Sequence, residues 1–99
     1  MQISVDELHA GLEFDRLLHI ELFGGAQDDD TPKYTDSAFG KVLRRIAQRV
    51  TPLGSHVGLV SVGQRWRAFV GAGIIQNETA EAATPAMAIC RLAVKVFLP

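Results

Sequence analysis

The residues best equipped for chemistry here are three histidines, one cysteine, three consecutive aspartates and two groups of basic side chains. His9, His19 and His56 lack a spacing such as His-Glu-x-x-His, which sets two zinc ligands on one helix face, so no metal is expected and they read as structural histidines. Cys90 becomes a nucleophile only with a histidine close enough to lower its pKa. Its neighbours Ala88, Ile89 and Leu92 instead mark it as a small core residue. Asp28, Asp29 and Asp30 lack the glycine and distal glutamate of a calcium loop. They read as a solvated acidic loop that can meet a basic partner surface. Gly71-Ala72-Gly73 has neither the Gly-Lys-Ser/Thr ending of a phosphate loop nor the third glycine of a dinucleotide fingerprint. No nucleophile–base pair and no paired carboxylates emerge from the spacing, so the chain is expected to be non-enzymatic and without a cofactor.

The basic groups point to binding. Lys41, Arg44 and Arg45, with Arg49 on the flank, form one polar helix face that can contact phosphates or simply be solvated. In Arg65-Trp66-Arg67, period-two alternation puts Trp66 on one strand face and both arginines on the other. Two arginines on one face can grip carboxylates or phosphates bidentately, and exposed Trp and Arg dominate interface hot spots. Against this, Trp66 also reads as the core aromatic of its strand, with the arginines covering helix carboxylates.

These side chains must be held by a small set of elements. Ser4-x-x-Glu7 fits a capping box. A helix is expected over Leu12–Phe23, with Phe14, Leu17, Leu18 and Leu22 as its apolar stripe and Gly24-Gly25 as its stop. Thr35 or Asp36 can cap a second helix, where Phe39, Val42, Leu43, Ile46, Ala47 and Val50 share a face. Strands are expected over His56–Val62 and Gln64–Gly71, joined in a hairpin at Gly63, with a third over Asn77–Ala82. Thr84 and Pro85 suit the N-cap and first position of a last helix, whose stripe is Ala86, Ile89, Ala93 and Val96, with Arg91 and Lys95 pointing outward. The result is an α+β domain in the order helix-helix-strand-strand-strand-helix. Its antiparallel sheet has three to four strands and, because the strands look apolar on both faces, is expected to be sandwiched by helices.

Bulk properties bound the rest. Ninety-nine residues make one domain, 1–99, and 47% hydrophobic with 21% charged residues fits a folded globule. A net charge of −1 does not advertise nucleic acid or an anionic membrane. One cysteine rules out an internal disulfide framework, which suits a reducing cytoplasm. The N-terminus has no basic run followed by an apolar one, so no signal peptide is expected. No apolar stretch approaches the roughly 20 residues of a membrane helix.

Several segments resemble a known family. Asp6-Glu7-Leu8-x-Ala10-Gly11-x-Glu13-Phe14-Asp15-x-Leu17-Leu18 resembles the opening of the phage ABA sandwich domain family, small proteins of phages and prophages. Pro32-Lys33-Tyr34-Thr35-Asp36 is similar to the segment preceding that family's amphipathic helix. Ala80-Glu81-Ala82-Ala83-Thr84 and Ala88-Ile89-Cys90-Arg91-Leu92-Ala93 are similar to its closing run. Where the family often has tryptophan after the first helix, this chain has Gly24-Gly25. The resemblance implies strands sandwiched between helices and a phage or prophage setting. It carries no settled activity.

The function expected is therefore binding, foremost to a host bacterial protein and with an anti-defence role, in the bacterial cytoplasm. An alternative is an oligomeric binder that sequesters a nucleotide signal through Arg65, Arg67, Trp66 and Tyr34. A second alternative is a nucleic-acid-associated protein. The element order also resembles double-stranded-RNA-binding domains in topology, but the last helix opens Thr84-Pro85-Ala86-Met87-Ala88, where such domains place a basic cluster.

Overall fold

The computed structural model describes residues 5–26, 28–72 and 75–98. After a 3-10 turn at Val5–Glu7, helix α1 spans Leu12–Phe23 and helix α2 spans Phe39–Val50. Strands β1 (His56–Val62), β2 (Arg65–Ala72) and β3 (Ile75–Ala82) follow, and helix α3 (Pro85–Phe97) closes the chain. The expected capping box involves Ser4, which lies outside the described residues.

Helix boundaries follow their local chemistry. At the end of α1, Gly24 adopts φ 67° and the Gly25 amide donates to the His19 carbonyl at 2.9 Å, satisfying an orphan C-terminal acceptor. Thr84 caps α3 with its Oγ1 accepting from the Met87 amide at 3.2 Å, and Pro85 sits in the first turn. Helix α2 departs from expectation. Its N-cap is Ala38, and no side chain caps it. Thr35 is drawn inward by Asp15, so neither Thr35 nor Asp36 serves α2.

The sheet is antiparallel in the order β1-β2-β3, as the patterning predicts. Val62 pairs with Arg65 around a two-residue Gly63-Gln64 turn. Pairing of β2 with β3 shifts register between Val70 and Gly71, where a bulge absorbs one residue. Beyond it Gly71 meets Gln76 and Ala72 meets Ile75. Strand β3 therefore starts at Ile75, two residues before the expected start at Asn77.

Helix α3 is the centre of the molecule. It packs on β2 and β3 on one side and on α2 and α1 on the other. Its burial therefore extends around the helix: Ala86 to Cys90 and Leu92 to Val94 are all buried, well beyond a single stripe. Arg91 and Lys95 do not simply point outward. The Arg91 guanidinium donates to the carbonyls of Glu81 at 2.9 Å and Leu8 at 3.0 Å, and Lys95 Nζ donates to the Thr79 carbonyl at 2.7 Å. Both tie α3 to the β3 backbone.

The class, element order and antiparallel sheet match the expectation, but the layering differs. Val57, Leu59, Trp66, Ala68, Val70, Ala80 and Ala82 all join the one core, which lies on the helical side. Alternation places His56, Gly58, Val60 and Val62 of β1, Arg65, Arg67 and Phe69 of β2, and Thr79 and Glu81 of β3 on the opposite side. There Val60 is 41% and Val62 39% exposed. The sheet is thus covered by helices on one face, not two. The physical reason lies at Gly58. Phe69 pairs with it across β1 and β2, and a Cβ there would come within 2.3 Å of the Phe69 ring. The far end of the ring reaches over the glycine, and the ring meets the His56 ring edge-on with centroids 6.1 Å apart. One aromatic shields its own strand pair, so no helix is needed to bury it.

Candidate functional site

The candidate positions fall in separate places. Arg65 and Arg67 lie on the uncovered sheet face, and Trp66 points to the helical side, where it packs against the core. Arg67 spends part of its charge locally: its guanidinium lies 3.3 Å from the Glu81 carboxylate, directly opposite on β3. Arg65 is exposed, and among the described residues it has no ion-pair partner. The outer face therefore presents Val60, Val62 and the half-buried Phe69 beside one free and one engaged guanidinium.

Tyr34 is not on the sheet's open face. It is 2% exposed and packs among the helices, so the structure does not bring it together with Arg65, Trp66 and Arg67. Its ring stacks on Phe23, with centroids 5.0 Å apart and planes 8° from parallel, and more loosely on His19. The Tyr34 hydroxyl lies 3.0 Å from His19 Nδ1, and His19 Nε2 lies 3.1 Å from the Asp29 carboxylate. Burial, then the Asp15 charge, hold the Tyr34 hydroxyl above the usual phenol pKa.

Asp29 is correspondingly engaged, unlike exposed Asp28 and Asp30. Its Oδ2 accepts from the Ala26 amide at 2.7 Å as well as from His19. The Ala26 hydrogen bond foremost, and the His19 contact after it, lower its pKa below the usual value. Of the acidic loop, only the two flanking aspartates offer unspent charge to a partner.

This Tyr34–His19–Asp29 chain is the constellation that the sequence spacing did not reveal. It has the residue types of a proton relay, but its tyrosine end is sealed in the core and only the aspartate end is open to solvent. It ties Asp29, whose carboxylate also holds the Ala26 amide, onto α1. Gly25 makes room for it, since a Cβ there would fall 2.1 Å from His19 Nε2. The sequence signal was Gly24-Gly25, which turns the chain back so that Asp29 returns to the helix it left.

A second buried polar cluster lies nearby. Asp15, 5% exposed, accepts from the Thr35 amide at 2.8 Å and from Thr35 Oγ1 at 2.9 Å. Thr35 Oγ1 in turn accepts from the Gly11 amide at 3.0 Å. These bonds join the start of α1 to the turn before α2 and satisfy groups that would be costly to bury alone. Cys90 behaves as its neighbours suggested. It is fully buried, its thiol donates to the Tyr34 carbonyl at 3.3 Å, and burial with the Asp15 charge pushes its pKa up to about 12. A thiol held protonated in this way is no nucleophile.

Among the described residues no group of three or more His, Cys, Asp or Glu side chains is placed to hold a metal ion. Among the described residues no helix is long and apolar enough to cross a membrane. No family model, curated protein or solved structure matches the chain.

Proposed function

We propose that this is a non-enzymatic binding protein whose main contact surface is the uncovered face of the sheet, and that its partner is another protein. The setting we propose is the one the sequence resemblance implies: an accessory protein of a phage or prophage, acting on a protein of the bacterial host. One observation carries the reading. An antiparallel sheet packed on one side only presents Val60 and Val62 of the edge strand β1 directly beside Arg67 and Arg65 of the central strand β2, with Phe69 further along β2. Apolar groups interleaved with arginine match the make-up of interface cores, in which aromatic residues and arginine are enriched. The Tyr34–His19–Asp29 and Asp15–Thr35 clusters are engaged in internal hydrogen bonds.

The test is retention from bacterial lysate by the immobilised protein and by a Val60→Arg, Val62→Arg double variant. Both positions are exposed, so the variant should keep its melting temperature. The reading expects a specific protein retained by the parent and lost by the variant. Equal retention by both, or none by the parent, overturns it.

A further inference from the structure

A second surface, away from the sheet, has the chemistry of a ligand site. Helix α2 carries Lys41, Arg44, Arg45 and Arg49 and no carboxylate, while the whole chain sums to −1, so the remainder of the protein is at −5. The positive charge is thus concentrated on one helix of an otherwise acidic molecule. Among the described residues none of the four cations has an ion-pair partner. Two are held in place without neutralisation. The Arg45 Nε donates to the Leu22 carbonyl at 3.1 Å, and the Arg45 and Arg49 guanidiniums each lie 5.0 Å from the Phe97 ring centroid. Arg45 is therefore pre-oriented with its charge intact, while Lys41 and Arg44 are free to close on an anion.

Phe23 supplies the other half. This large aromatic is 37% exposed at the end of α1. One face of its ring is covered by Tyr34, which is backed by His19. The remaining surface lines a cleft of about 340 Å³ together with Lys41, Arg44, Arg45 and Gln48. A cleft of this kind offers a rigid stacking platform, three cations and one amide able to donate or accept. Its volume lies near the lower end of small-molecule sites, roughly 300 Å³.

We propose that this cleft binds a free nucleotide, the base stacking on Phe23 and the phosphates held by Lys41, Arg44 and Arg45. An inorganic phosphate would use the cations and leave Phe23 idle. A neutral aromatic would use Phe23 and leave three unpaired cations. A phosphorylated base uses both, and Gln48 lies where it can hydrogen-bond a base edge or a ribose. The site is independent of the sheet face.

The experiment is calorimetric titration of the protein with ATP, GTP, adenosine, pyrophosphate and a single-stranded oligothymidine. At least one of the two nucleotides is expected to bind, and to bind about tenfold or more tighter than either adenosine or pyrophosphate, because only the nucleotide engages ring and cations together. Lys41→Glu with Arg44→Glu, both exposed positions, should lower nucleotide affinity at least about tenfold with the fold intact. Phe23→Leu should also weaken it, and Phe23→Tyr should restore it. Melting curves of each variant separate loss of binding from loss of fold. Binding no tighter than pyrophosphate, insensitivity to the charge reversals, absence of binding by both nucleotides, or binding of the oligonucleotide alone overturns the proposal.

Discussion

Removing the Asp15 carboxylate should expose how much the buried polar cluster contributes. Asp15 Oδ1 accepts two hydrogen bonds from Thr35, and both residues are 5% exposed. Hydrogen bonds to a charged group contribute about 1.5–3 kcal/mol each, and a buried donor left without a partner costs about 1–3 kcal/mol. Asp15→Ala strips both bonds and leaves the Thr35 amide unpaired, so a loss of about 3–5 kcal/mol is expected. That is a large part of the total for a domain whose stability falls in the usual range of about 5–15 kcal/mol. Asp15→Asn keeps an oxygen for the Thr35 amide but loses the charge assistance, which roughly halves such bonds, so about 1–2 kcal/mol is expected. Thr35→Val removes the hydroxyl, which both donates to Asp15 and accepts from Gly11, and should lie between the two. The Asn and Val variants share partners, so their combination should cost less than their sum. Urea unfolding followed by far-ultraviolet circular dichroism and by the fluorescence of Trp66 measures all four. An Asp15→Ala loss below about 0.5 kcal/mol, the level of an ordinary surface substitution, would refute the reasoning.

Other outcomes follow from the same structure. Cys90, with its pKa raised from 9.0 to about 12, is bound to its proton more tightly folded than unfolded. That stability is fully present below pH 9 and is lost as pH rises through about 12, amounting to roughly 4 kcal/mol when the thiolate form dominates. Alkaline melting curves should show the decline, and a thiol reagent at neutral pH should label Cys90 only after denaturation; prompt labelling of the folded protein would count against burial. Tyr34, the one tyrosine, should ionise above pH 10 in a tyrosinate absorbance titration, and an ordinary midpoint would contradict its seat in the core. Asp29 has the opposite sign. Its lowered pKa gives stability that is present above its ordinary value and lost as pH falls through the folded one, so Asp29→Asn should flatten the acid side of the stability profile. Gly58→Ala forces Phe69 off its neighbour, with an expected cost of about 1 kcal/mol and stronger binding of a hydrophobic dye.

Much of this architecture was legible in the chain. Helix α1 over Leu12–Phe23 and strand β1 over His56–Val62 follow directly from periodicity and from their glycine boundaries. The Thr84–Pro85 start of α3 follows from cap chemistry, and Cys90 was readable from its apolar neighbours. What was not legible depends on long-range geometry. The one-sided layering turns on Phe69 folding across Gly58, two residues that are remote in sequence and paired only by the hairpin register. Thr35 looks like an N-cap by type, but the buried Asp15, twenty residues earlier, competes for it and wins two hydrogen bonds. The Tyr34–His19–Asp29 chain has no local spacing at all. The cationic face of α2 was visible, but not that Phe23 from another helix would complete it.

The central claim, that the uncovered sheet face meets a partner protein, is tested most directly by site-specific photocrosslinking in bacterial cells. A photoreactive phenylalanine analogue is placed at Val60, on the open sheet face, and in a parallel strain at Arg16, an exposed position on α1. A discrete adduct with a host protein is expected from position 60 and none from position 16. Adducts from position 16 alone, or none from position 60, would contradict the claim.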